Sequence, residues 1–240
     1  MPNPTAAILI IGDEILSGRT RDSNMHYLAG ELTKNGITLA EARVVSDDAG
    51  AIIGAVNALR VAHDNVFTSG GIGPTHDDIT AEAVAAAFDT PIGIRKDAYD
   101  LLAAHYAQSG REFNDARQRM ARIPDGATLI DNPVSIAPGF TIGNVHVMAG
   151  VPSVFQAMVA SVLPTLTGGA PMLSQSWRID RGEGEIAGPL STLATEFPDL
   201  SIGSYPFQEN GAYGSNIVIR GTDAGQIDAA MSKLAHLFPA

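Results

Sequence analysis

Unbroken apolar runs alternate with amphipathic stretches along the first part of the chain. Ala6 to Ile11 is apolar at every position and ends at Gly12. An unbroken run of this length is typical of a strand that is buried on both faces of a parallel sheet. The pattern predicts further strands at 37–45, 65–68, 128–130, 140–142 and 145–149, and helices at 25–34, 51–62, 81–88, 96–122 (with a break at 109–110) and 153–166. This alternation of strand and helix predicts an α/β domain with a mostly parallel sheet.

A short glycine-containing segment, Thr167 to Pro171, separates this pattern from a different one. Beyond it the sequence predicts strands at 173–180, 200–205 and 217–219, and helices at 183–196 and 223–237. The order β-α-β-β-α is typical of a small α+β unit. We therefore expect a larger domain over residues 1–166 and a small C-terminal α+β subdomain over residues 172–240, joined by a linker.

The loop from Thr68 to Thr80 joins the strand at 65–68 to an alanine-rich helix and contains three glycines. Glycines let the backbone turn tightly and approach a ligand closely, because no Cβ stands in the way. A glycine loop that runs into a helix N-terminus presents unpaired amides and the positive end of the helix dipole. The sequence therefore predicts a phosphate site here, in which amides of the loop stabilise the phosphate charge. The three glycines are Gly70, Gly71 and Gly73.

Two carboxylates, Asp77 and Asp78, follow the glycines. Two negative charges beside a phosphate pocket indicate a bridging divalent cation or proton chemistry. The alternative is that Asp78 only caps the following helix. Thr80 is an equally good cap, and a helix that begins there would leave both aspartates in the loop without a capping role. We therefore favour the functional interpretation.

Acidic pairs follow three of the predicted strands. They are Asp13 and Glu14, Asp47 and Asp48, and Asp77 and Asp78. In open parallel sheets, ligands bind beyond the carboxyl ends of the strands. Hard oxygen ligands in this number suit Mg²⁺ or Mn²⁺ together with substrate phosphates. For Asp47 and Asp48 we slightly favour capping of the next helix, with one of the two left to face the site.

Histidine and arginine give weaker signals. His76 stands beside Asp77 in the loop, where it is either a ligand-binding or catalytic group or an exposed bystander. Several arginines fall in the helical region that ends at 122. Most fit the solvated face of a helix, with one or two left to reach a phosphate. They are Arg111, Arg117, Arg119 and Arg122.

Composition narrows the classes of function. The chain has 240 residues, of which 45% are apolar, enough for a sizeable core. The absence of cysteine excludes disulfides, zinc–thiolate sites and a thiol nucleophile. A formal net charge of −11 without a segregated basic patch disfavours nucleic acid as a partner. No apolar run is long enough to span a bilayer, and the N-terminus lacks a signal-peptide pattern, so we expect a cytoplasmic protein without a membrane partner.

Several motifs occur in the order of one known family. They are Gly12-Asp13-Glu14-Ile15-Leu16-Ser17-Gly18, Asp22-Ser23-Asn24, the run from Gly70 to Thr80, Ala137-Pro138-Gly139-Phe140 and Gly150-Val151-Pro152. Together they resemble the N-terminal domain of the CinA family (competence/damage-inducible protein A), which has the molybdopterin-binding, MoaB/Mog-like fold. Gly203-Ser204-Tyr205-Pro206 resembles a part of the family's later subdomain. The resemblance therefore covers nearly the whole chain.

The resemblance implies a three-layer α/β/α domain whose glycine loop, Gly70 to Thr75, binds the phosphate end of a pterin or nucleotide. It implies divalent-metal-dependent cleavage of a pyrophosphate, with ADP-ribose as a substrate class, and a homo-oligomer. A domain of eukaryotic FAD synthase is similar. The alternative is a protein of molybdenum-cofactor metabolism that binds molybdopterin or a nucleotide without hydrolysis. The resemblance leaves open whether the ligand is a pterin or an adenine nucleotide.

Residue roles follow from the motifs and the resemblance together. The predicted catalytic and metal-binding residues, for Mg²⁺, Mn²⁺ or Co²⁺, are Asp13, Asp77 and Asp78. The predicted ligand-binding residues are Gly12, Glu14, Ser17, Gly18, Asn24, Asp47, Ser69, Gly70, Gly71, Gly73, Pro74, Thr75, Pro138 and Gly139.

Two positions depart from the family's pattern. Ser135-Ile136 stands where the family usually has Gly-Thr, and Ser153-Val154-Phe155 replaces an acidic residue and a methionine after the Gly-Val-Pro turn. If that acid helps to hold the metal, the departure predicts binding without catalysis.

Overall fold

A six-stranded sheet forms the centre of the first part of the computed structural model, which describes residues 3–209 and 211–239. The strands of this part are β1 (Thr5–Ile11), β2 (Thr38–Val45), β3 (Asn65–Ser69), β4 (Ile92–Ile94), β5 (Arg122–Pro124), β6 (Thr128–Ile130), β7 (Gly139–Ile142) and β8 (Val145–Met148). The sheet order is β2-β1-β3-β8-β7-β6, and β4 and β5 form a separate antiparallel pair.

The central strands of this sheet are parallel. β1 pairs with β2 and β3, and β3 pairs with β8, all in parallel, whereas β7 is antiparallel to β8 and β6. The predicted α/β class with a mostly parallel sheet is confirmed. The antiparallel edge arises because β7 returns directly into β8 through the short turn at Gly143 and Asn144, without a crossover helix.

Helices cover both faces of the sheet. They are α1 (Asp13–Leu16), α2 (Asn24–Lys34), α3 (Ala49–Ala62), α4 (Thr80–Ala87), α5 (Lys96–Ser109), α6 (Asp115–Gln118) and α7 (Pro152–Val162). Alternate residues of β1 enter two different cores: Leu9 packs in a cluster with residues of α3, α4 and α5, and Ile8 packs in a cluster with residues of α2 and α7. Both faces of β1 are therefore buried, which explains its unbroken apolar run and confirms the three layers.

Residues 96–122 were predicted as one helix with a break at 109–110. The part before the break is helical, but the part after it is not a continuous helix. α5 ends at Gly110, whose φ of 65° lies in the left-handed region, where glycine is favoured. The short α6 then starts after Asn114, whose side chain accepts a hydrogen bond from the Arg117 amide at 3.2 Å. The remaining residues form a 3₁₀ turn at Arg119–Ala121 and then β5.

A separate three-stranded antiparallel sheet organises the second part of the chain. Its order is β10-β11-β9, formed by β9 (Leu173–Ile179), β10 (Ser201–Glu209) and β11 (Ala212–Gly221), with α8 (Glu183–Glu196) and α9 (Ala224–Leu237). Buried residues such as Ile186, Ile217 and Leu234 give this part its own core. The chain divides into two units, Met1–Gly169 and Ala170–Ala240. No helix within the described ranges is long and apolar enough to cross a membrane.

Candidate functional site

A cleft of about 770 Å³ lies where the parallel strands of the first unit end. The segments that follow β1, β2, β3, β6 and β8 contribute its walls. Its lining residues are Ile11, Gly12, Glu14, Thr20, Asp47, Gly70, Gly71, Ile72, Gly73, Asp77, Asp78, Met120, Asn132, Val134, Ser135, Ala137, Ala149, Gly150, Val151, Pro152, Ser153 and Val154. A concave site at this edge of a parallel sheet is where ligands of α/β proteins bind.

The glycine loop after β3 needs glycine for two separate reasons. Gly70 and Gly71 have φ values of 113° and 70°, which side-chain-bearing residues rarely adopt. A Cβ at Gly70 would overlap the backbone oxygen of Ile11, and a Cβ at Gly71 would overlap the hydroxyl of Thr80. The loop therefore lies against β1 and α4 at distances that only glycine allows.

Thr80 fastens this loop to the start of α4. Its side chain is fully buried, its hydroxyl donates to the Gly70 carbonyl at 3.0 Å, and its amide donates to the Gly71 carbonyl at 3.0 Å. The N-cap position of α4 is Ile79, without a capping side chain. The alternatives weighed for the helix start, capping by Asp78 or by Thr80, are therefore both wrong.

The loop amides are not equally available to a ligand. The Gly70 amide donates to the Met148 carbonyl at 3.1 Å and so extends the pairing of β3 with β8. The expectation that the Gly70 amide binds phosphate is therefore wrong, because this amide already pairs within the sheet. Of the three glycine amides, those of Gly71 and Gly73 donate no hydrogen bond within the described part of the chain, so these two are left for an anion.

Asp77 and Asp78 form hydrogen bonds with Thr75 inside the glycine loop. The Asp78 carboxylate accepts from the Thr75 amide at 2.8 Å. The Thr75 hydroxyl lies 2.5 Å from the carboxylates of both Asp77 and Asp78, which share its single proton. That hydroxyl holds the pKa of Asp77 below its ordinary value. His76 is 98% exposed, with its Nδ1 3.9 Å from the Asp77 carboxylate, which fits an exposed bystander.

Asp47 and Asp48 have different roles. Asp48 caps α3, because its carboxylate accepts from the Ala51 amide at 2.8 Å. Asp47 lines the cleft and accepts from the Asp13 amide at 2.9 Å, which joins the ends of β1 and β2. Burial raises the pKa of Asp47, and the charges of Asp13, Glu14 and Asp77 act in the same direction.

Asn24 joins the end of β3 to the turn after β8. It is only 3% exposed, and its side-chain amide donates to the Ser69 hydroxyl and to the Gly150 carbonyl, both at 2.8 Å. Asn24 and Ser69, both predicted to bind ligand, are thus buried and bonded to the protein itself. They hold the end of β3 against the turn after β8.

The structure brings about half of the sequence-predicted site residues into the cleft. Those that line it are Gly12, Glu14, Asp47, Gly70, Gly71, Gly73, Asp77 and Asp78. Those that lie outside its lining are Asp13, Ser17, Gly18, Asn24, Ser69, Pro74, Thr75, Pro138 and Gly139. Within residues 3–209 and 211–239, no group of three or more histidines and carboxylates is placed to hold a metal ion by itself. The metal-binding role of Asp13, Asp77 and Asp78 stays a prediction.

Asn132 is a cleft residue that sequence reasoning missed. It is 2% exposed, and its side-chain amide donates to the Ser135 hydroxyl and to the Ala137 carbonyl, both at 2.7 Å. Its side-chain oxygen accepts from the amides of Val134 and Ser135 at 3.1 and 3.2 Å. The Asn132-Pro133 dipeptide, a common start of a turn, was the available signal.

Of the four arginines between positions 111 and 122, Arg119 contacts the end of the glycine loop and Arg122 contacts the first turn of α4. Arg119 donates to the Asp78 carbonyl at 3.4 Å and lies 3.8 Å from the Glu82 carboxylate, with which Arg122 forms a short ion pair. Glu82 is in the first turn of α4. Arg117 instead stacks over Tyr106.

Comparison with known proteins agrees with this geometry. Residues 7–168 match the family described as "Probable molybdopterin binding domain", and residues 171–240 match "FAD synthase, middle domain". A CinA-like protein of Citrifermentans bemidjiense is 39% identical over 167 residues, which cover 68% of this chain and 40% of that protein. A "Probable FAD synthase" of Caenorhabditis elegans is 31% identical over 258 residues, covering 97% of this chain and 50% of that protein.

A solved structure shows the same fold. The crystal structure of the protein CinA, of unknown function, from Thermoplasma acidophilum matches with a TM-score of 0.63 and 31% identity, over 69% of this chain and 99% of that one. The chain spans half or less of the two curated relatives above. By these matches, the chain belongs to the molybdopterin-binding-domain family as a CinA-like member, with a C-terminal part similar to the middle domain of FAD synthase.

Proposed function

We propose that the chain binds a phosphate-bearing nucleotide or pterin in this cleft, and that it hydrolyses the pyrophosphate bond of a nucleotide of the ADP-ribose or FAD type with a divalent metal ion. One observation carries the proposal: the unpaired amides of Gly71 and Gly73 belong to the same cleft as the carboxylates of Glu14, Asp47, Asp77 and Asp78. Donors for an anion and ligands for a cation are thereby combined in one site.

The loop amides supply the phosphate contacts in this proposal. Gly71 and Gly73 donate their N–H groups to phosphate oxygens, and the adjacent start of α4 adds the positive end of its dipole. These donors are fixed before the ligand arrives, because Thr80 and Thr75 hold the loop from both sides. Donors fixed in this way stabilise developing negative charge on phosphorus without reorganisation.

The acidic side chains fit a hard divalent cation. The raised pKa of Asp47 follows first from burial and then from the nearby carboxylates, and a bound cation relieves both. Mg²⁺ commonly binds through one or two carboxylates plus substrate phosphates, so a group of three protein ligands is not required. Such an ion would neutralise the pyrophosphate and lower the pKa of an attacking water.

A second candidate is a protein that binds the same ligand without hydrolysis. One observation favours it: the turn after β8 carries Ser153 and Val154 where the resembled family has an acid and a methionine. This candidate predicts saturable binding of nucleotide or pterin without product.

Turnover distinguishes the two candidates. We expect purified chain to release AMP from ADP-ribose or FAD with Mg²⁺, Mn²⁺ or Co²⁺, measured by chromatography. Asp47→Asn should lower the rate by about tenfold or more, because it removes a cleft carboxylate. Asp48→Asn is the matched control, because asparagine also caps helices and residue 48 does not line the cleft.

Each result selects one account. Wild-type chain that binds ADP-ribose but releases no AMP with any of the three ions supports the binding-only candidate. Wild-type chain that neither binds nor cleaves ADP-ribose and FAD contradicts both. Equal rates for wild type and Asp47→Asn would remove the acidic side of the cleft from the mechanism.

A further inference from the structure

The segment 132–137 (the wall segment) lies between β6 and β7 and contains a strained residue. Ile136 has a φ of 67°, in the left-handed region. This region is disfavoured for any residue that carries a Cβ, and it is a genuine outlier for a β-branched side chain such as isoleucine. The wall segment is therefore held in a conformation that Ile136 by itself disfavours.

Core packing does not offset this strain. Ile136 is half-buried, and within the described ranges it packs in neither hydrophobic core of the first unit. Asp89 also has a positive φ, 49°, but aspartate tolerates this region better, because its short polar side chain can form local hydrogen bonds. A strained residue persists only where surrounding contacts hold it, so the contacts that hold Ile136 have to be found in the wall segment.

Asn132 supplies these contacts. Its side-chain amide donates to the Ser135 hydroxyl and to the Ala137 carbonyl, both at 2.7 Å, so one group fixes the residue before Ile136 and the residue after it. Its side-chain oxygen accepts from the amides of Val134 and Ser135, and its backbone carbonyl accepts from the Ile136 amide at 2.9 Å. Asn132 is 2% exposed, and hydrogen bonds that are shielded from water are stronger than exposed ones.

We propose that Asn132 is a positioning residue: its side chain holds the wall segment against the strain at Ile136 and so keeps one wall of the cleft in place for the ligand. Val134, Ser135 and Ala137 of this segment line the cleft. A change of Ile136 to a negative φ redirects the chain between Ser135 and Ala137 and moves this wall. The ligand part of the proposal rests on the proposed function, because it takes the cleft as the ligand site.

Asn132 itself lines the cleft, so direct contact with the ligand is the competing role for its side chain. A direct contact is lost with the side chain, whichever residue stands at position 136. A holding role can be replaced, because glycine at position 136 adopts a positive φ without strain and the wall segment then needs less restraint. The two roles therefore differ in whether a second substitution rescues the first.

Urea unfolding tests the holding role without a ligand. Ile136→Gly and Ile136→Ala both remove the side chain beyond Cβ, but only alanine keeps the strain at a positive φ. While Asn132 is present, we expect the glycine variant to unfold at the higher urea concentration. In the Asn132→Ala background the wall segment relaxes, so the glycine variant should lose this advantage.

Two results of the urea comparison overturn the proposal. An alanine variant at least as stable as the glycine variant, with Asn132 present, would show that position 136 stores no strain. The same glycine advantage with and without the Asn132 side chain would show that this side chain does not hold Ile136.

Calorimetry with Mg²⁺ and α,β-methyleneadenosine 5′-diphosphate, a nucleotide that resists hydrolysis, tests the effect on the cleft. We expect Asn132→Ala to weaken binding by about tenfold, and Ile136→Gly in that background to restore affinity by at least about threefold. Asp89→Gly in the same background is the matched control. It also places glycine at a positive φ, but residue 89 lies outside the cleft lining, so it should restore nothing.

The outcomes separate this proposal from the proposed function. Unchanged affinity in Asn132→Ala overturns the positioning role, and so does a loss that Ile136→Gly fails to restore, which assigns Asn132 to direct contact with the ligand. Equal recovery with Asp89→Gly also overturns it, because the effect is then not local. If wild-type chain binds no nucleotide, the proposed function fails together with the ligand part of this proposal, whereas the urea comparison still decides whether Asn132 holds the wall segment.

Discussion

Asp47 and Asp48 are adjacent in the chain, but their carboxylates make different hydrogen bonds. Asp48 caps a helix, whereas Asp47 joins two strand ends and faces the cleft. The sequence slightly favoured capping for this pair and allowed one of the two to face the site, because acids before a helix are ordinary capping residues. It did not indicate which, since that depends on the direction in which the backbone leaves β2.

Substitution of Gly71 tests whether the close approach of the loop to α4 requires glycine. Gly71→Ala should destabilise the chain by more than about 1 kcal/mol, because the new Cβ combines a left-handed φ with an overlap against Thr80. Gly18→Ala is the control: Gly18 has nearly the same φ, 72°, but a Cβ there would meet no atom of the described residues within 4 Å. Chemical denaturation measures both. Equal losses would mean that the backbone angle, and not the close approach to α4, makes glycine necessary.

The burial of His146 makes the stability of the fold depend on pH. It is buried beside Phe67, and burial lowers its pKa from the ordinary 6.5 to about 4. The unfolded chain then binds a proton that the folded chain rejects, so stability is full above pH 6.5 and falls as the pH drops towards 4. Between pH 7 and pH 5 this histidine should remove about 2 kcal/mol.

Replacement of the imidazole isolates this contribution. In His146→Gln, the free energy of unfolding in urea should change less between pH 7 and pH 5 than in wild type. His26→Gln, at an exposed position on α2, should retain the wild-type slope. An unchanged slope in His146→Gln would assign the acid sensitivity to other groups.

At the scale of the element, strands with continuous apolar runs were predictable, whereas α1, β4 and α6 were not. β1 and β3 have both faces buried, which explains the apolar runs at their centres. α1, β4 and α6 have only three or four residues each, too few to show a period. Tertiary contacts fix them instead: β4, for example, exists because it pairs with β5.

The position of a strand in the sheet sets the cost of truncating its side chains. Val66 on the central β3 is fully buried, whereas Val44 on the edge strand β2 is 40% exposed. Val66→Ala should cost about 2–4 kcal/mol of unfolding free energy, and the chemically identical Val44→Ala less than about 1 kcal/mol. Similar losses at both positions in urea denaturation would contradict the assignment of β2 to the edge.

The acidic residues of the cleft were predictable, and the apolar residues that line it after β6 and β8 were not. Acids after three successive strands give a signal that the sequence shows directly, because parallel strands end at one edge. Val134 and Val151 give none, since an exposed valine in a turn looks like any other surface residue. Asn24 shows a role that its motif did not indicate: its side-chain amide joins two turns, and its contact with a ligand stays a prediction.

At the scale of the whole molecule, the negative charge of the chain supports the proposed cation. The chain carries a formal net charge of −11, and four carboxylates line the cleft proposed to bind a diphosphate. The amides of Gly71 and Gly73 are uncharged donors, and the guanidinium of Arg119 already contacts the Asp78 carbonyl. An anionic ligand therefore meets repulsion that a divalent cation removes.

The affinity for α,β-methyleneadenosine 5′-diphosphate with and without Mn²⁺, measured by calorimetry, tests this coupling most directly. The account predicts that Mn²⁺ tightens binding by about tenfold or more in wild type and in Asp48→Asn, and by clearly less in Asp47→Asn. The same dissociation constant with and without Mn²⁺ in wild type, or the full gain in Asp47→Asn, would contradict it.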